Sequence, residues 1–259
     1  MHKAARQKQI RELLTTNGDA SVAFLAERFG ASLNTIRRDL TDLDSQGHVS
    51  RTRGGAIFER EARSPLTGPD YAVRVREHPA QKVIIGEHAA ALIDNGSSFL
   101  MSGGTTMHAL AVALAGHEEL QIVTNGLTVA MELEKCRSSR VFLIGGVVDF
   151  TKMSTVGQAA QDALRDIVVD QAFIGVSGLT ADGGMAMFNP QEAEVNRAFI
   201  QAARYVTVLA DSTKFESKAM FKICSLDQVD RLITDDGISD RDRSAIEALG
   251  IELIIVGRA

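Results

Sequence analysis

The sequence predicts two unlike folding units in series: a small all-α unit closed by a β-hairpin wing, then a larger Rossmann-like α/β domain on a parallel sheet. Three observations predict it. Short amphipathic segments separated by turn residues fill the first part of the chain, up to about residue 58. From about Tyr71 onward, short β-branched runs alternate with helical segments, the sequence mark of a parallel sheet with crossover helices. At 259 residues the chain also exceeds the usual single-domain length of roughly 150. The expected boundaries are 1–58 for the first unit, 59–74 for a linker and 75–259 for the second unit.

Composition narrows the classes. With 45% apolar and 24% charged residues the chain is an ordinary globular protein, and four prolines argue against a long disordered linker. Cys136 and Cys224 are far apart and form no C-x-x-C pair, which supports neither a disulfide framework nor a zinc finger, so both read as reduced and no metal is expected. Met1-His2-Lys3-Ala4-Ala5-Arg6 leads into a charged helix with no apolar signal core, and no apolar run approaches the roughly 18 residues of a membrane span. The expectation is a cytoplasmic protein with no membrane partner. The net charge of −5 is unevenly spread: residues 1–63 carry 11 Lys+Arg against 8 Asp+Glu, or +3, leaving 17 against 25, or −8, for the remainder. A basic head on an acidic body suits a nucleic-acid partner for the head.

In the head, a first helix from about Ala4 to Thr16 has Ile10, Leu13 and Leu14 as its apolar stripe and Asn17-Gly18 as its stop. Ser21 can cap a second helix running through Phe29, with Val22, Leu25, Ala26 and Phe29 turned inward, and Gly30 supplies a tight turn. Ser32 then caps a third helix whose apolar positions Ile36, Leu40 and Leu43 repeat at spacings of four and three. This is helix-turn-helix spacing. The other side of the third helix carries Asn34, Thr35, Arg37 and Arg38, side chains that hydrogen-bond base edges and phosphates when a helix lies in the major groove. Alone, the same pattern describes a solvated amphipathic helix with a surface arginine pair. After a stop near Gln46-Gly47, His48 to Ile57 alternates briefly and reads as a hairpin wing that brings Arg51 and Arg53 to phosphate or the minor groove, or else as a basic linker.

The run Thr35-Ile36-Arg37-Arg38-Asp39-Leu40, followed by Leu43, Gly47, Arg51 and Gly54-Gly55-Ala56, resembles the winged-helix signature of the DeoR family of bacterial transcriptional regulators over roughly residues 6 to 58. The resemblance implies a double-stranded DNA operator as partner, with Ser32, Asn34, Thr35, Arg37, Arg38, Arg51 and Arg53 as the candidate contacts.

For the second unit the expected strands are Ser98 to Met101, Gln121 to Thr124, Val141 to Ile144, Ala172 to Val176, Tyr205 to Ala210, Arg231 to Thr234 and Ile251 to Val256. The intervening helices are expected near Lys82 to Ile93, Met107 to Leu114, Leu127 to Leu133, Gln158 to Ile167, Gln191 to Ala203 and Arg241 to Leu249. Ligands of such sheets bind beyond the carboxyl ends of the strands. There the chain is polar and glycine-rich. Ser102-Gly103-Gly104-Thr105-Thr106 passes from strand to helix and offers amides and hydroxyls at the positive end of a helix dipole, a fit for phosphate, though a plain tight turn has the same composition. It is neither G-x-G-x-x-G nor a Walker A loop, which disfavours a dinucleotide or ATP, and no cofactor is expected. Thr124-Asn125-Gly126 and Gly145-Gly146 repeat the device after the next two strands. Asp211-Ser212-Thr213-Lys214-Phe215 offers Asp211 as acceptor for sugar hydroxyls and Lys214 as the phosphate partner, or a simple surface ion pair. Glu192 and Glu194 open a helix, where they either reach a ligand or merely complement the dipole.

These segments, with Glu192-Ala193-Glu194-Val195 and Ala210-Asp211-Ser212-Thr213-Lys214-Phe215, also resemble the effector domain of the DeoR family. What that implies is a sensor related in fold to sugar-phosphate isomerases and coenzyme A transferases, one that binds a phosphorylated sugar and loosens operator binding. The family commonly has an aspartate before the Ser-Gly of the first loop; here it is Met101, which removes one acceptor for sugar hydroxyls. The leading expectation is a repressor of a carbohydrate-metabolism operon relieved by a phosphorylated effector, in a homo-oligomer, dimer or tetramer. Two other classes compete. An isomerase-like enzyme with a DNA-binding head would use Asp211 or Glu192 as base, but no carboxylate pair, His-centred nucleophile or metal cluster can be assembled from the motifs. A constitutive DNA binder would use its large domain only to oligomerise.

Overall fold

The computed structural model describes residues 2–17, 19–45, 49–52, 55–58, 68–217 and 219–257. They form two compact units, Met1–Pro65 and Leu66–Ala259.

The first unit runs α1 (Lys3–Asn17), β1 (Asp19–Ser21), α2 (Val22–Phe29), α3 (Leu33–Ser45), β2 (Val49–Thr52) and β3 (Gly55–Phe58). Ile10, Leu14, Leu25, Ile36, Leu40, Leu43 and Val49 close one core, so the apolar spacings of the three helices meet at a single point. Ser21 Oγ accepts from Phe24 N at 3.1 Å, capping α2, and Gly30 ends that helix in the left-handed region at φ +58°. The hairpin reading holds: β2 and β3 pair antiparallel, with Arg51 opposite Ala56. A third strand was not legible, because β1 is the polar tripeptide Asp-Ala-Ser with no apolar alternation; it pairs with β3 to give the order β1-β3-β2. Gly18, the Gln46-Gly47 stop, Arg53 and Gly54 lie outside the described residues.

The second unit begins earlier than the sequence suggests. Within the expected 59–74 linker, α4 (Tyr71–Arg74) is helical and bound to the larger unit: Tyr71 N donates to Thr151 O at 2.7 Å, and Lys152 Nζ donates to Pro69 O at 2.9 Å. A four-residue helix has too few positions to show a period, and its anchors lie about 80 residues downstream, so no local pattern marks it. Then follow α5 (Pro79–Ala90), β4 (Ser98–Met101), α6 (Thr105–Ala113), β5 (Gln121–Thr124), α7 (Leu127–Glu132), β6 (Arg140–Leu143), β7 (Val147–Asp149), β8 (Ser154–Val156), α8 (Gln158–Asp162) and β9 (Val169–Gly175). The chain continues through β10 (Gly178–Thr180), β11 (Gly184–Met187), α9 (Pro190–Gln201), β12 (Ala203–Leu209), β13 (Phe221–Cys224), β14 (Arg231–Asp235), α10 (Asp240–Glu247) and β15 (Glu252–Val256).

Seven strands form one parallel sheet in the order β15-β14-β12-β9-β4-β5-β6. Its strands read as continuous apolar runs because both faces are covered. Phe99, Met101 and Phe173 pack with Ile85, Met107 and Leu110 on one face; Leu100, Ala172 and Ile174 pack with Ala160, Phe199 and Ile246 on the other. Met101, which ends β4 just before the Ser-Gly of the first loop, is fully buried in the first of these clusters. From β4 the chain builds outward to β5 and β6, then returns to β9 on the other side of β4, so the topological switch point lies between β4 and β9. The β7–β8 hairpin and the antiparallel sheet β10-β11-β13 are insertions of three- and four-residue strands, too short to register as alternation. Among the described residues, no helix is long and apolar enough to cross a membrane.

Candidate functional site

On α3 the apolar stripe fixes which side faces out. Ile36 and Leu40 are buried, whereas Asn34, Arg37 and Arg38 are exposed, and Arg37 Nη1 donates to Asn34 Oδ1 at 3.4 Å. Ser32 and Thr35 do a different job. Ser32 Oγ accepts from Thr35 N at 3.1 Å and lies 2.8 Å from Thr35 Oγ1, so the two hydroxyls form the helix cap, with Thr35 half-buried. The sequence reading missed Asp39. It is buried and ion-paired to Arg6 Nε at 2.5 Å, with Gln7 Nε2 at 3.4 Å, tying α1 to the helix that presents the arginines. The available signal was its position, three residues after Ile36 and inside the apolar stripe, where an unpaired carboxylate would be costly. Arg51 takes its place on β2 of the wing hairpin.

In the second unit a cavity of about 210 Å³ opens at the switch point. Gly103, Gly104, Thr105 and Thr106 of the β4–α6 loop form one wall, and Gly175, Val176 and Ser177 after β9 form the next. Thr213 and Lys214, on the 3-10 turn after β12, close a third side. The first turn of α6 points its amides, which an α-helix leaves without intrahelical partners, toward this space.

The remaining predicted residues divide into supports and outsiders. Ser102 and Asn125 are buried: Ser102 Oγ accepts from Gly175 N at 2.9 Å, Asn125 Oδ1 accepts from Gly103 N at 2.8 Å, and Asn125 Nδ2 donates to Thr155 O at 2.9 Å. They hold the loop rather than line the cavity. The expectation that the glycines bring backbone to an anion needs correcting at Gly126, which lies off the cavity walls, and Gly103 lines the cavity under a second constraint. A Cβ on Gly126 would sit 2.9 Å from Gly103 Cα, and one on Gly103 3.1 Å from Ser154 Cβ, so these two are glycine because the β4 and β5 loops touch. Gly104 is different: it faces open space but needs φ +136°, which L side chains rarely adopt.

Gly145 and Gly146 do not line the cavity. They follow β6, the terminal strand, and Gly146 is pressed against the hairpin, where a Cβ would meet Val156 O at 2.6 Å. Glu192 also lies off the cavity walls, buried in the first turn of α9; burial pushes its carboxyl pKa up, opposed by Arg74 and Lys152. Asp211 is buried and committed to its own turn, accepting from Thr213 N at 3.2 Å and from the Thr213 hydroxyl, with Lys214 Nζ at 3.4 Å from its other oxygen. The carboxylate that lines the cavity is Glu77 instead.

Two cations complete the cavity and were missed. Lys82 is buried and donates to Glu77 O at 2.5 Å and to Arg74 O, leaving one ammonium donor for the cavity it lines. Burial pushes its pKa down to about 8, against the pull of Asp211. Its signal was a lysine in register with Ile85 and Ala89 on the apolar face of α5. Arg74 also lines the cavity, and its Nε and Nη2 are buried without a hydrogen-bond partner. It had no signal, since it lies in what reads as linker. The segment that carries both is pinned by Lys152, whose ammonium pKa is lowered by burial and by Arg74. Among the described residues, no cluster of His, Cys, Asp and Glu could hold a metal ion.

The DeoR-like helix-turn-helix domain matches residues 6–62, and the DeoR C terminal sensor domain matches residues 77–236. The chain is 34% identical to the glycerol-3-phosphate regulon repressor of Escherichia coli strain K12, covering 91% of this chain and 92% of that protein. It is 29% identical to the putative aga operon transcriptional repressor of Escherichia coli O157:H7, covering 97% and 93%. Among solved structures it is similar to the probable sor operon regulator from Shigella flexneri, with 17% identity, a TM-score of 0.42, and coverage of 71% of this chain and 92% of that one. The exposed α3 arginines, the wing, the two family domains matched across both units and the 34% identity to a regulon repressor lead to one conclusion: the chain belongs to the DeoR family and is a DNA-binding transcriptional regulator.

Proposed function

We propose that the protein is a repressor of a carbohydrate-metabolism operon whose hold on operator DNA is loosened when a small phosphorylated sugar or related metabolite fills the cavity of the second unit. One observation carries this reading: a guanidinium with two buried, unpaired donors, Arg74, lines the same cavity as Lys82, Lys214 and the first turn of α6. A buried donor without an acceptor costs about 1–3 kcal/mol, more when charged, and a phosphate restores several such bonds at once. At about 210 Å³ the cavity suits a compact metabolite and lies below the roughly 300–1,000 Å³ usual for drug-sized ligands. Thr105 and Thr106 add neutral donors, and Glu77 replaces Asp211 as acceptor for sugar hydroxyls. The relatives named as repressors of the glycerol-3-phosphate regulon and the aga operon support a carbohydrate setting.

Neither carboxylate expected to serve as base in an isomerase-like enzyme, Asp211 or Glu192, lines the cavity. The reading is of a sensor that binds without turnover, in keeping with relatives named as transcriptional regulators. The test is a thermal-shift screen of triose, pentose and hexose phosphates, followed by operator-binding titrations with each hit and an assay for its conversion. A hit that stabilises the protein, lowers operator affinity and is recovered unchanged supports the proposal. No shift with any phosphorylated sugar favours a constitutive binder, and turnover favours an enzyme.

A further inference from the structure

The far edge of the large sheet carries an unclaimed surface. β6 is the terminal strand of the seven, and no strand among the described residues pairs with its outer edge. Arg140 N and Ile144 N donate inward, to Leu120 O and Thr124 O at 2.8 Å each. The alternating residues Val141 and Leu143 therefore turn their backbone N–H and C=O outward.

An edge left open in this way is usually guarded by charge, proline or a covering element. This one is apolar instead. Phe142 is 53% exposed, Leu143 47% and, just past the strand, Val147 65%, with Met131 of the neighbouring α7 also exposed. Val141 packs with the α7 side of the sheet and Ile144 with the α8 side, so by strand alternation Leu143 and Phe142 stand on opposite faces, and the edge is apolar above and below. Together these four side chains present on the order of a few hundred Å² of apolar surface, to which the paired backbone edges add toward the roughly 800 Å² per partner of a stable interface.

Charge selects the occupant. Val141 to Val148 reads Val-Phe-Leu-Ile-Gly-Gly-Val-Val, with no ionisable side chain, on a stretch of chain whose net charge is −8 from residue 64 onward. Two copies of so acidic a unit repel one another over most of their surface, and this uncharged edge is where they can meet without like-charge contact. An edge strand is also complementary to itself when turned antiparallel by a two-fold axis. From this juxtaposition of a free edge, apolar side chains on both faces and absence of charge, we infer that the β6 edge forms a self-association surface, two copies pairing β6 to β6 antiparallel about Phe142. In that register Val141 of one copy exchanges both backbone hydrogen bonds with Leu143 of the other. Phe142 then faces its own counterpart across the axis, at a non-hydrogen-bonded position where side chains come closest.

The test is the mass of the full chain in solution, by light scattering and sedimentation, for wild type, Phe142→Glu, Met131→Glu and a control, Met220→Glu, whose side chain is 61% exposed elsewhere. The expected result is a wild-type dimer or an even multiple of it, halved in mass by Phe142→Glu and by Met131→Glu, with unchanged circular dichroism and unchanged mass in the control. Should Phe142→Glu not fold, Met131→Glu decides, because that side chain is 73% exposed and fills no core. Amide exchange at Val141 and Leu143 should be slow in the wild-type assembly and fast in the dissociated variants. A wild type that is monomeric at every concentration overturns the inference, as would happen if this edge were covered within one chain. So do variants that keep the wild-type mass, a control that dissociates equally, or fast exchange at Val141 and Leu143 in an intact oligomer.

Discussion

The candidate DNA-reading face lies on one helix, whereas the cavity takes its walls from the strap before α5, α5 itself, the β4–α6 loop, the β9 end and the turn after β12. On α3 the period that buries Ile36, Leu40 and Leu43 also dictates that Asn34, Arg37 and Arg38 face out. No such coupling exists at the cavity. Residues that read as ligands, Ser102, Asn125 and Asp211, turn out to satisfy backbone donors, while of the side chains that offer charge, Arg74 sits in what reads as linker and Lys82 is marked only by its place on the apolar face of α5. The comparison teaches that a site on one periodic element is readable from spacing, and a site at a sheet's switch point is readable only as a neighbourhood.

The strongest challenge to the one-helix picture is Asp39. If α3 is positioned by its ion pair with Arg6, Asp39→Ala removes the buried carboxylate that Arg6 and Gln7 bind and should destabilise the first unit by about 3 kcal/mol, with operator affinity lost alongside. Denaturant unfolding of the full chain, read by the loss of a separate early transition, checks this. A variant of wild-type stability would show that α3 stands on its apolar stripe alone.

Next in size are the exposed arginines. Arg37→Ala and Arg38→Ala should each cost about 1–3 kcal/mol of specific operator binding while leaving the unfolding curve in place. Fluorescence anisotropy with operator and scrambled duplexes separates the two. Equal losses on both duplexes would reassign the arginines from base reading to phosphate contact.

For the cavity the expected behaviour is reversed: operator binding near wild type, response lost. Arg74→Ala and Lys214→Ala should each weaken phosphorylated effector by about 1.5–3 kcal/mol, the range for hydrogen bonds to charged groups, and so blunt release of DNA. Operator titrations with and without effector measure this. If Lys214→Ala responds fully while Arg74→Ala does not, the phosphate sits under the strap and away from the β12 turn.

The smallest effect is a pH dependence. Lys82 has a folded pKa of about 8, below its ordinary 10.5, so it is charged below about 8 and neutral above. Effector affinity should therefore fall as pH rises through and beyond 8, by at most about tenfold per pH unit, with the bound anion shifting the fall upward. Stability of the unliganded protein should move the other way, rising between about pH 8 and 10.5, because there the unfolded chain binds more protons than the folded one. Calorimetric titration across this range, with Lys82→Arg as a variant that stays charged, checks the sign. A wild-type profile as flat as that of Lys82→Arg would remove Lys82 from the anion site.

The sequence by itself determined the seven strands of the large sheet and the main helices between them in chain order, the two-unit division, the helix-turn-helix with its wing, and which side of α3 is free. It did so because periods of 3.6 and 2 and the caps at Ser21 and Ser32 are local consequences of backbone geometry. Four of the strand-end residues, Gly103, Gly104, Thr105 and Thr106, together with Lys214, were legible because a parallel sheet always gathers its loops at the carboxyl ends. Only the tertiary structure decided the rest. It joined Arg74 and Lys82 to a loop some 20 to 30 residues away, removed Gly145, Gly146 and Glu192 from the cavity, and turned Gly126 from a ligand contact into a packing partner of Gly103. The reason is that strand order, not strand sequence, sets which loops meet. By placing β4 between β5 and β9, the fold brings the β4 loop against the β9 end and leaves the β6 loop at the far edge.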